Sequence, residues 1–249
     1  MPSTPDAILL CGGAGLRLRS VTGNAPKGMA AVAGRPFLEL LLRQLRRHGF
    51  ERAILAVGYR KEVIRSHFGE RAFGLHLAYS VESSPLGTAG ALRKAADLVQ
   101  SDAALVMNGD SYTEVNLCEF VADYCQSKAD ASVVVVPADG RGDCGSVLVD
   151  GSGKLARFGE KEGRFHTPYV NAGVYMVSRN MLYEIPSGPE VSLEQESFPR
   201  WLRQGKYIRG FVCLGRCIDI GTPERYRKAQ DILANVEVEA SAPQRESRL

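Results

Sequence analysis

Three glycines, two cations and two carboxylates carry the chemistry this sequence can support. Gly12, Gly13 and Gly15 follow directly on the apolar run Ala7 to Leu10, and the same stretch goes on to deliver Arg17 and Lys27. Glycines just past a buried strand let backbone N–H groups approach an anion where a Cβ would collide with it. Arg17 offers a planar fork for two phosphate oxygens, and Lys27 a compact, mobile point charge. Such a loop suits a polyphosphate. Asp110 closes a second apolar run in N-G-D-S, and Asp219 sits in I-D-I-G-T-P-E. Either aspartate alone reads as a turn or helix-capping residue. Together, downstream of a polyphosphate loop, they read as hard oxygen ligands that hold Mg²⁺ against phosphates.

Two familiar phosphate loops are excluded by single residues. The dinucleotide fingerprint G-x-G-x-x-G begins at Gly13 and Gly15, but Leu18 stands where the third glycine belongs. The Walker A pattern G-x-x-x-x-G-K-[ST] fails because Lys27 is preceded by Pro26 and followed by Gly28. What remains is G-G-x-G-x-R-L, with P-K ten residues after the arginine.

The elements that must position these residues alternate along the chain. Ala7 to Leu10, Ala53 to Val57, Leu75 to Val81, the run A-L-V-M-N ending on Asp110, and S-V-V-V-V-P read as buried strands. Between them fall helical patterns. Leu38, Leu41, Leu42 and Leu45 make an apolar stripe after Pro36, stopped by Gly49. Lys61 to Phe68, residues 88 to 98 opened by Thr88, and Leu117 to Ser127 are the others. Strand–helix alternation argues a mostly parallel α/β sheet covered on both faces. Such sheets bind ligands at the carboxyl ends of their strands, where both the glycine loop and Asp110 fall.

After residue 144 the pattern changes. G-S-V-L-V, the turn D-G-S-G and K-L-A-R-F-G-E-K read as a hairpin, followed by a strand at V-N-A-G-V-Y-M-V. Leu193 to Arg203 reads as a helix, Tyr207 to Cys213 as a strand, and Pro223 as the first position of a last helix. One domain over residues 1–235 is expected, with a nucleotide half to about 143 and a substrate-shaping half from 144. Residues 236–249 lack a core pattern and read as a frayed tail.

Composition narrows the function classes. At 249 residues and 45% hydrophobic content the chain can bury one substantial core. A net charge of +3 is too mild for a nucleic-acid or membrane surface, and no apolar run approaches the ~20 residues of a membrane span. The six cysteines form no C-x-x-C pair, so reduced and mostly packed thiols in a cytoplasmic enzyme are expected.

From Ala7 to Leu233 the ordered motifs resemble those of the sugar-phosphate nucleotidyltransferases, the enzymes that make NDP-sugars. This likeness implies a Rossmann-like sheet of the nucleotide-diphospho-sugar transferase type. It also implies an NTP and a sugar 1-phosphate as substrates, with Mg²⁺ as cofactor, and leaves homo-oligomerisation open. A deprotonated phosphate oxygen then attacks the α-phosphorus, so cations and metal-holding carboxylates are needed and a general base is not. Arg17, Lys27, Asp110 and Asp219 take the catalytic positions. E-S-S-P-L-G-T-A-G looks like the family's base-binding segment, which adds Pro85, Gly87 and Thr88 to Leu10, Gly12, Gly13, Gly15 and Asn108 on the nucleotide side. Glu160 and Lys161 look like the sugar-phosphate motif, and Asn171 and Gly173 like the sugar floor, on adjacent expected strands. Gly28 departs from the proline frequent after the P-K lysine.

Within the family, R-L-R-S-V, P-L-G-T-A-G, S-L-E-Q-E-S-F-P and I-D-I-G-T-P-E-R-Y look most like the D-glycero-α-D-manno-heptose 1-phosphate guanylyltransferases, which implies GTP. The competing readings are a mannose 1-phosphate or a UTP- or dTTP-linked enzyme, and a non-catalytic nucleotide-sugar-binding subunit. A degenerate subunit should have lost one of the four catalytic residues, and all are present.

Overall fold

The computed structural model describes residues 4–138, 145–159, 165–188 and 190–240, with 235–240 as backbone alone. Glu160, Lys161 and Cys144 lie outside the described residues. Four parallel strands form its centre: β1 (Asp6–Leu10), β2 (Arg52–Val57), β3 (Leu75–Val81) and β4 (Ala103–Asn108). Their order is β3–β2–β1–β4, with Ile8 opposite Ile54 on one side and Val106 on the other. Beyond a single turn at Arg19–Thr22, the helices among the described residues are α1 (Phe37–Arg47), α2 (Lys61–Phe68), α3 (Gly87–Ala95), α4 (Leu117–Ser127), α5 (Arg179–Glu184), α6 (Phe198–Arg203) and α7 (Pro223–Ala240).

Strand alternation divides the core in two. Ala7 and Leu9 face a cluster that takes in α1, α2, α4 and α7, whereas Ile8 faces one built with α3, α5 and α6. Helices therefore cover both faces, as the near-continuous apolar strands require. In α1, Leu38, Leu41, Leu42 and Leu45 are all wholly buried. Each contributes ~1.5–3 kcal/mol of transfer free energy, so packing rather than propensity holds this helix.

The longer strands that follow are β5 (Ser111–Thr113), β6 (Ala131–Pro137), β7 (Ser146–Val149), β8 (Leu155–Gly159), β9 (Tyr169–Ser178), β10 (Ile208–Val212) and β11 (Cys217–Asp219). Of these, β6 to β10 turn the sheet from parallel to mixed, while β5 and β11 pair with each other as a separate ribbon. Antiparallel β9 joins the halves, pairing with β4 through Val174↔Met107 and, on its other edge, with β6. β10 then adds parallel to β6. Near its start β9 pairs with β7, and β7 with β8. The strand leading to Glu160 is thus not adjacent to that of Asn171, because β7 lies between them.

Three further expectations need correction. The strand expected to end on Asp110 stops at Asn108, and Gly109–Asp110 form a turn into β5. The last helix runs on to Ala240, into the stretch read as a tail, and Leu233 is its last buried residue among the described side chains. Of the five described cysteines, Cys11 and Cys213 are buried, Cys217 is half-buried, and Cys118 and Cys125 are exposed, so the thiols are free but less packed than expected. No helix among the described residues is long and apolar enough to cross a membrane.

Gly109 brings β4 against β1. A Cβ there would lie 2.5 Å from the Leu10 carbonyl oxygen and 2.9 Å from Cys11 Sγ. Backbone cannot yield as a flexible side chain does, so Gly109→Ala should cost ~1–3 kcal/mol, the scale of overpacking a core. Urea unfolding followed by tryptophan fluorescence checks this, since Trp201 is wholly buried in the neighbouring cluster.

Candidate active site

The glycine loop leaves β1 at Leu10 and is pinned at once, with Cys11 N–H donating to the Ala56 carbonyl (2.8 Å) and Tyr59 N–H to that of Gly12 (3.2 Å). Gly15 adopts left-handed φ 59°, ψ 34°, a conformation that glycine enters without a Cβ penalty. The chain then passes through the tight turn Leu16–Leu18, which carries exposed Arg17, and returns so that Lys27 Cβ sits 3.1 Å from where a Gly15 Cβ would be. Extended Pro26 (ψ 145°) launches Lys27 into a second tight turn, Lys27–Met29. Gly28 lies buried in that turn, 3.5 Å from the Gly109 carbonyl at its Cβ position, so a close fit takes the place of a stiffening proline.

Lys27 Nζ forms an ion pair with Asp110 Oδ2. Asp110 Oδ1 accepts the Ser111 hydroxyl at 3.1 Å. The second carboxylate arrives through β11, which pairs with β5 so that Asp219 lies opposite Ser111, and Ile220 N–H donates to the Asp110 carbonyl (3.0 Å). Asp219 accepts Arg225 Nη1 at 2.9 and 3.1 Å and its Oδ1 accepts Gly221 N–H at 2.9 Å. The point where a Gly221 Cβ would stand is 2.9 Å from Asp219 Oδ1, 3.5 Å from Lys27 Nζ and 3.8 Å from Arg17 Nη2. Arg17, Lys27, Asp110 and Asp219 therefore meet at one spot, although they come from three separate parts of the chain.

Asp110 and Asp219 fit a Mg²⁺ site that substrate oxygens complete. Both are hard oxygen donors, Asp110 in the turn before β5 and Asp219 at the end of β11 paired with it, and Mg²⁺ is commonly held by one or two carboxylates plus phosphates. Among the described residues no cluster of three Asp, Glu, His or Cys forms a ready-made cage.

Beside this spot opens a cavity of about 590 Å³, lined by Leu10, Gly12, Gly13, Lys27, Pro85, Gly87, Thr88, Asn108 and Asp110 among others. Gly15, Arg17, Asp219, Asn171 and Gly173 stand outside its lining. Gly87 (φ +71°) packs against the Val191 backbone, and Ala89 N–H donates to the Val191 carbonyl at 2.9 Å. Asn171 and Gly173 occupy the irregularity where β9 loses register with β6; Gly173 N–H donates to Asn171 Oδ1 (3.0 Å) and Asn171 Nδ2 to the Tyr175 hydroxyl (2.7 Å). Gly173 (φ +72°) also packs against the Asn108 side chain, 2.8 Å from Nδ2 at its Cβ position.

The sequence left the roles of several residues here undecided. Glu82 lies on the cavity wall, its Oε2 accepting Leu86 N–H at 2.9 Å and its Oε1 packed so closely on Gly12 that no Cβ would fit. Burial pushes its carboxyl above the usual range. Glu190 and Tyr59 also escaped notice, because no spacing marks them, and Arg225 entered only as part of I-D-I-G-T-P-E-R-Y. Cys11 lines the cavity but is an unreactive thiol, since burial, and then the Asp110 charge, push its pKa far up.

Residues 6–236 match the model of the nucleotidyl transferase family. The chain belongs to that family. Its motifs bear out the enzyme class, a sugar-phosphate nucleotidyltransferase, and the expected sheet type. This nucleotidyl transferase is 36% identical over 227 residues to the D-glycero-alpha-D-manno-heptose 1-phosphate guanylyltransferase of Aneurinibacillus thermoaerophilus, covering 90% of this chain and 96% of that one. It is 36% identical over 234 residues to a mannose-1-phosphate guanylyltransferase of Mycobacterium tuberculosis, covering 93% of this chain but 65% of that enzyme's length. The crystal structure of HddC from Yersinia pseudotuberculosis complexed with GMP-PN superposes with a TM-score of 0.79 at 30% identity, covering 92% of this chain and all of that one.

Two charge-removing experiments follow from the meeting of cations and carboxylates. Asp110→Asn and Asp219→Asn should each lower turnover ~10²-fold or more, the scale for losing preorganised charge. Lys27→Ala should damage kcat more than the KM for NTP, because its charge matters most as pyrophosphate departs. Steady-state pyrophosphate release with and without EDTA checks both, and near-normal turnover in EDTA would remove the metal assignment.

Proposed function

We propose that this nucleotidyl transferase moves GMP from GTP to D-glycero-α-D-manno-heptose 1-phosphate, giving GDP-heptose and pyrophosphate. The observation that carries the reading is the meeting of Arg17, Lys27, Asp110 and Asp219 at the mouth of a cavity walled by the base segment. A 1-phosphate oxygen attacks the α-phosphorus in line. The new P–O bond forms as the α–β bridge breaks, and the electron pair leaves with pyrophosphate. Arg17 and Lys27 neutralise the triphosphate, Lys27 exchanging part of its contact with Asp110 for phosphate oxygens. Mg²⁺, bound between Asp110 and Asp219, would supply further positive charge at the reacting phosphates.

Guanine presents N1–H and N2–H₂ as neighbouring donors and O6 as acceptor. Glu82 on the cavity wall supports this base choice, since an ionised carboxylate only accepts. Backbone groups of Leu10 to Gly13 and Leu86 to Gly90 are the remaining readers. Lys161 takes the acceptor phosphate, and Glu160 and Asn171 the sugar hydroxyls. We place the reaction in the cytoplasm, with homo-oligomerisation open to direct measurement.

Near-complete coverage of the Aneurinibacillus enzyme supports heptose as the acceptor, whereas equal identity to the Mycobacterium enzyme supports mannose 1-phosphate as the second reading. A heptose carries one more hydroxymethyl arm than mannose, and a polar partner left unpaired costs ~1–3 kcal/mol, or roughly tenfold per 1.4 kcal/mol. With both acceptors at equal concentration, GTP should therefore go mainly to the heptose, and UTP should react poorly. Mass analysis of the NDP-sugar products decides the matter, and dominance of GDP-mannose or of a UDP-sugar moves the protein to the second reading or beyond it. Glu160→Ala should raise KM for the sugar 1-phosphate and leave that for GTP nearly unchanged, as initial rates will show.

A further inference from the structure

S-L-E-Q-E-S-F-P reads in sequence as a mark of kinship and the start of an ordinary helix, yet it folds otherwise. Leu193–Ser197 forms a π-helical turn in which Ser197 N–H reaches back to the Ser192 carbonyl (3.1 Å). Such turns are rare and frequent at functional sites. This one gives Glu194 two partners from distant elements. Oε2 accepts the Thr88 hydroxyl at 2.8 Å and the Ser192 hydroxyl at 3.3 Å, while Oε1 accepts the Tyr175 hydroxyl at 3.1 Å.

The connections continue in both directions. Thr88 lines the nucleotide cavity, and its oxygen accepts Leu193 N–H at 2.7 Å. Tyr175, wholly buried, accepts Asn171 Nδ2 at 2.7 Å, and Asn171 in turn holds Gly173 N–H, whose residue packs against Asn108 on the cavity wall. The donors and acceptors run consistently. Both hydroxyls give their proton to the carboxylate and accept one from the far side, so a shift of either hydroxyl is felt by the carboxylate they share. Each end lies against a close backbone approach, Gly87 on Val191 and Gly173 on Asn108, so a displacement at the cavity wall is passed into the network.

We propose that Glu194 is a positioning residue that couples the two substrate subsites. A nucleotide that fixes Thr88 fixes the carboxylate, and the carboxylate fixes Tyr175 and Asn171 before the acceptor arrives. Ordering already completed by the first ligand need not be repeated for the second, and this appears as a coupling free energy between sites. The inference rests on the reading that the Thr88 side takes the nucleotide and the Asn171 side the sugar phosphate.

Calorimetric titration of the full chain with D-glycero-α-D-manno-heptose 1-phosphate, with and without saturating guanosine 5′-[α,β-imido]triphosphate and Mg²⁺, measures that coupling. The imido bridge replaces the bond that transfer would break, so both ligands stay intact. In the wild type the analogue should tighten acceptor binding ~5-fold or more, the lower end for coupled sites. Glu194→Gln leaves the shape unchanged but turns one acceptor into a donor. Tyr175→Phe removes only the hydroxyl and keeps the ring on Phe198, whose centroid is 5.4 Å away. In both variants the factor should fall below ~2, while the Kd for either ligand alone moves less than ~3-fold. Independent binding in the wild type overturns the proposal, as does undiminished coupling in the variants. Loss of each ligand separately together with a fall in Tm also overturns it, because a merely structural role does that. A wild-type preference for mannose 1-phosphate overturns the choice of acceptor instead, and coupling is then scored on that pair with the same outcomes.

Discussion

Lys27, on the returning arm of the loop after β1, and Asp110, in the turn after neighbouring β4, form an ion pair on which the layout of the site depends. An ammonium and a carboxylate brought this close, both half-buried, favour each other strongly because water screens them incompletely. The pair holds the returning arm of the glycine loop down on the sheet. It also poises two charges that a triphosphate can re-partner, the ammonium toward phosphate oxygens and the carboxylate toward a divalent cation. Arg225 does the same for Asp219 on the adjoining ribbon. Both carboxylates of the resting site are thus paired with cations of the chain itself, which avoids leaving them uncompensated before substrate enters.

Close backbone approach is the second constraint. Gly12 lets Glu82 press on the loop, Gly109 lets β4 meet β1, and Gly87 lets α3 begin against Val191. At each of these positions a methyl group would meet a carboxylate or backbone at less than ordinary contact distance. The walls of the cavity are therefore made of main chain to an unusual degree. Main chain offers donors and acceptors at fixed positions, which suits the reading of a flat base and a chain of phosphates. Side chains do the charge work, and they enter from the rim.

The parallel half of the fold was legible because buried strands and amphipathic helices have different periods, and both are written plainly in residues 6–137. Lys61–Phe68, Leu75–Val81 and Leu117–Ser127 begin and end where their punctuation says. The ribbon of β5 and β11 was not legible, since three-residue strands show no period. Yet that ribbon sets Asp219 beside Asp110. The π-helical turn was also hidden, because its residues satisfy an ordinary helical pattern and differ only in which carbonyl each N–H reaches. Placing β7 between β8 and β9 needed long-range pairing that local sequence does not encode.

By itself the sequence determined the types of residue able to do this chemistry: bare glycines after a strand, a fork and a point charge, and two hard carboxylates. It also determined that these would gather at the carboxyl ends of parallel strands, because alternation of buried strands and helices leaves ligands no other edge. Only the tertiary structure decided which of them touch. Register between β5 and β11, the φ > 0 turns at Gly15 and Gly87, and the closure of α3 on Val191 all arise from contacts between residues far apart in the chain. Glu82 and Glu194 show the difference most plainly. Each lies in a segment the sequence marks, Glu82 in E-S-S-P-L-G-T-A-G and Glu194 in S-L-E-Q-E-S-F-P, but each acquires its partners only from what the folded backbone brings within hydrogen-bonding reach.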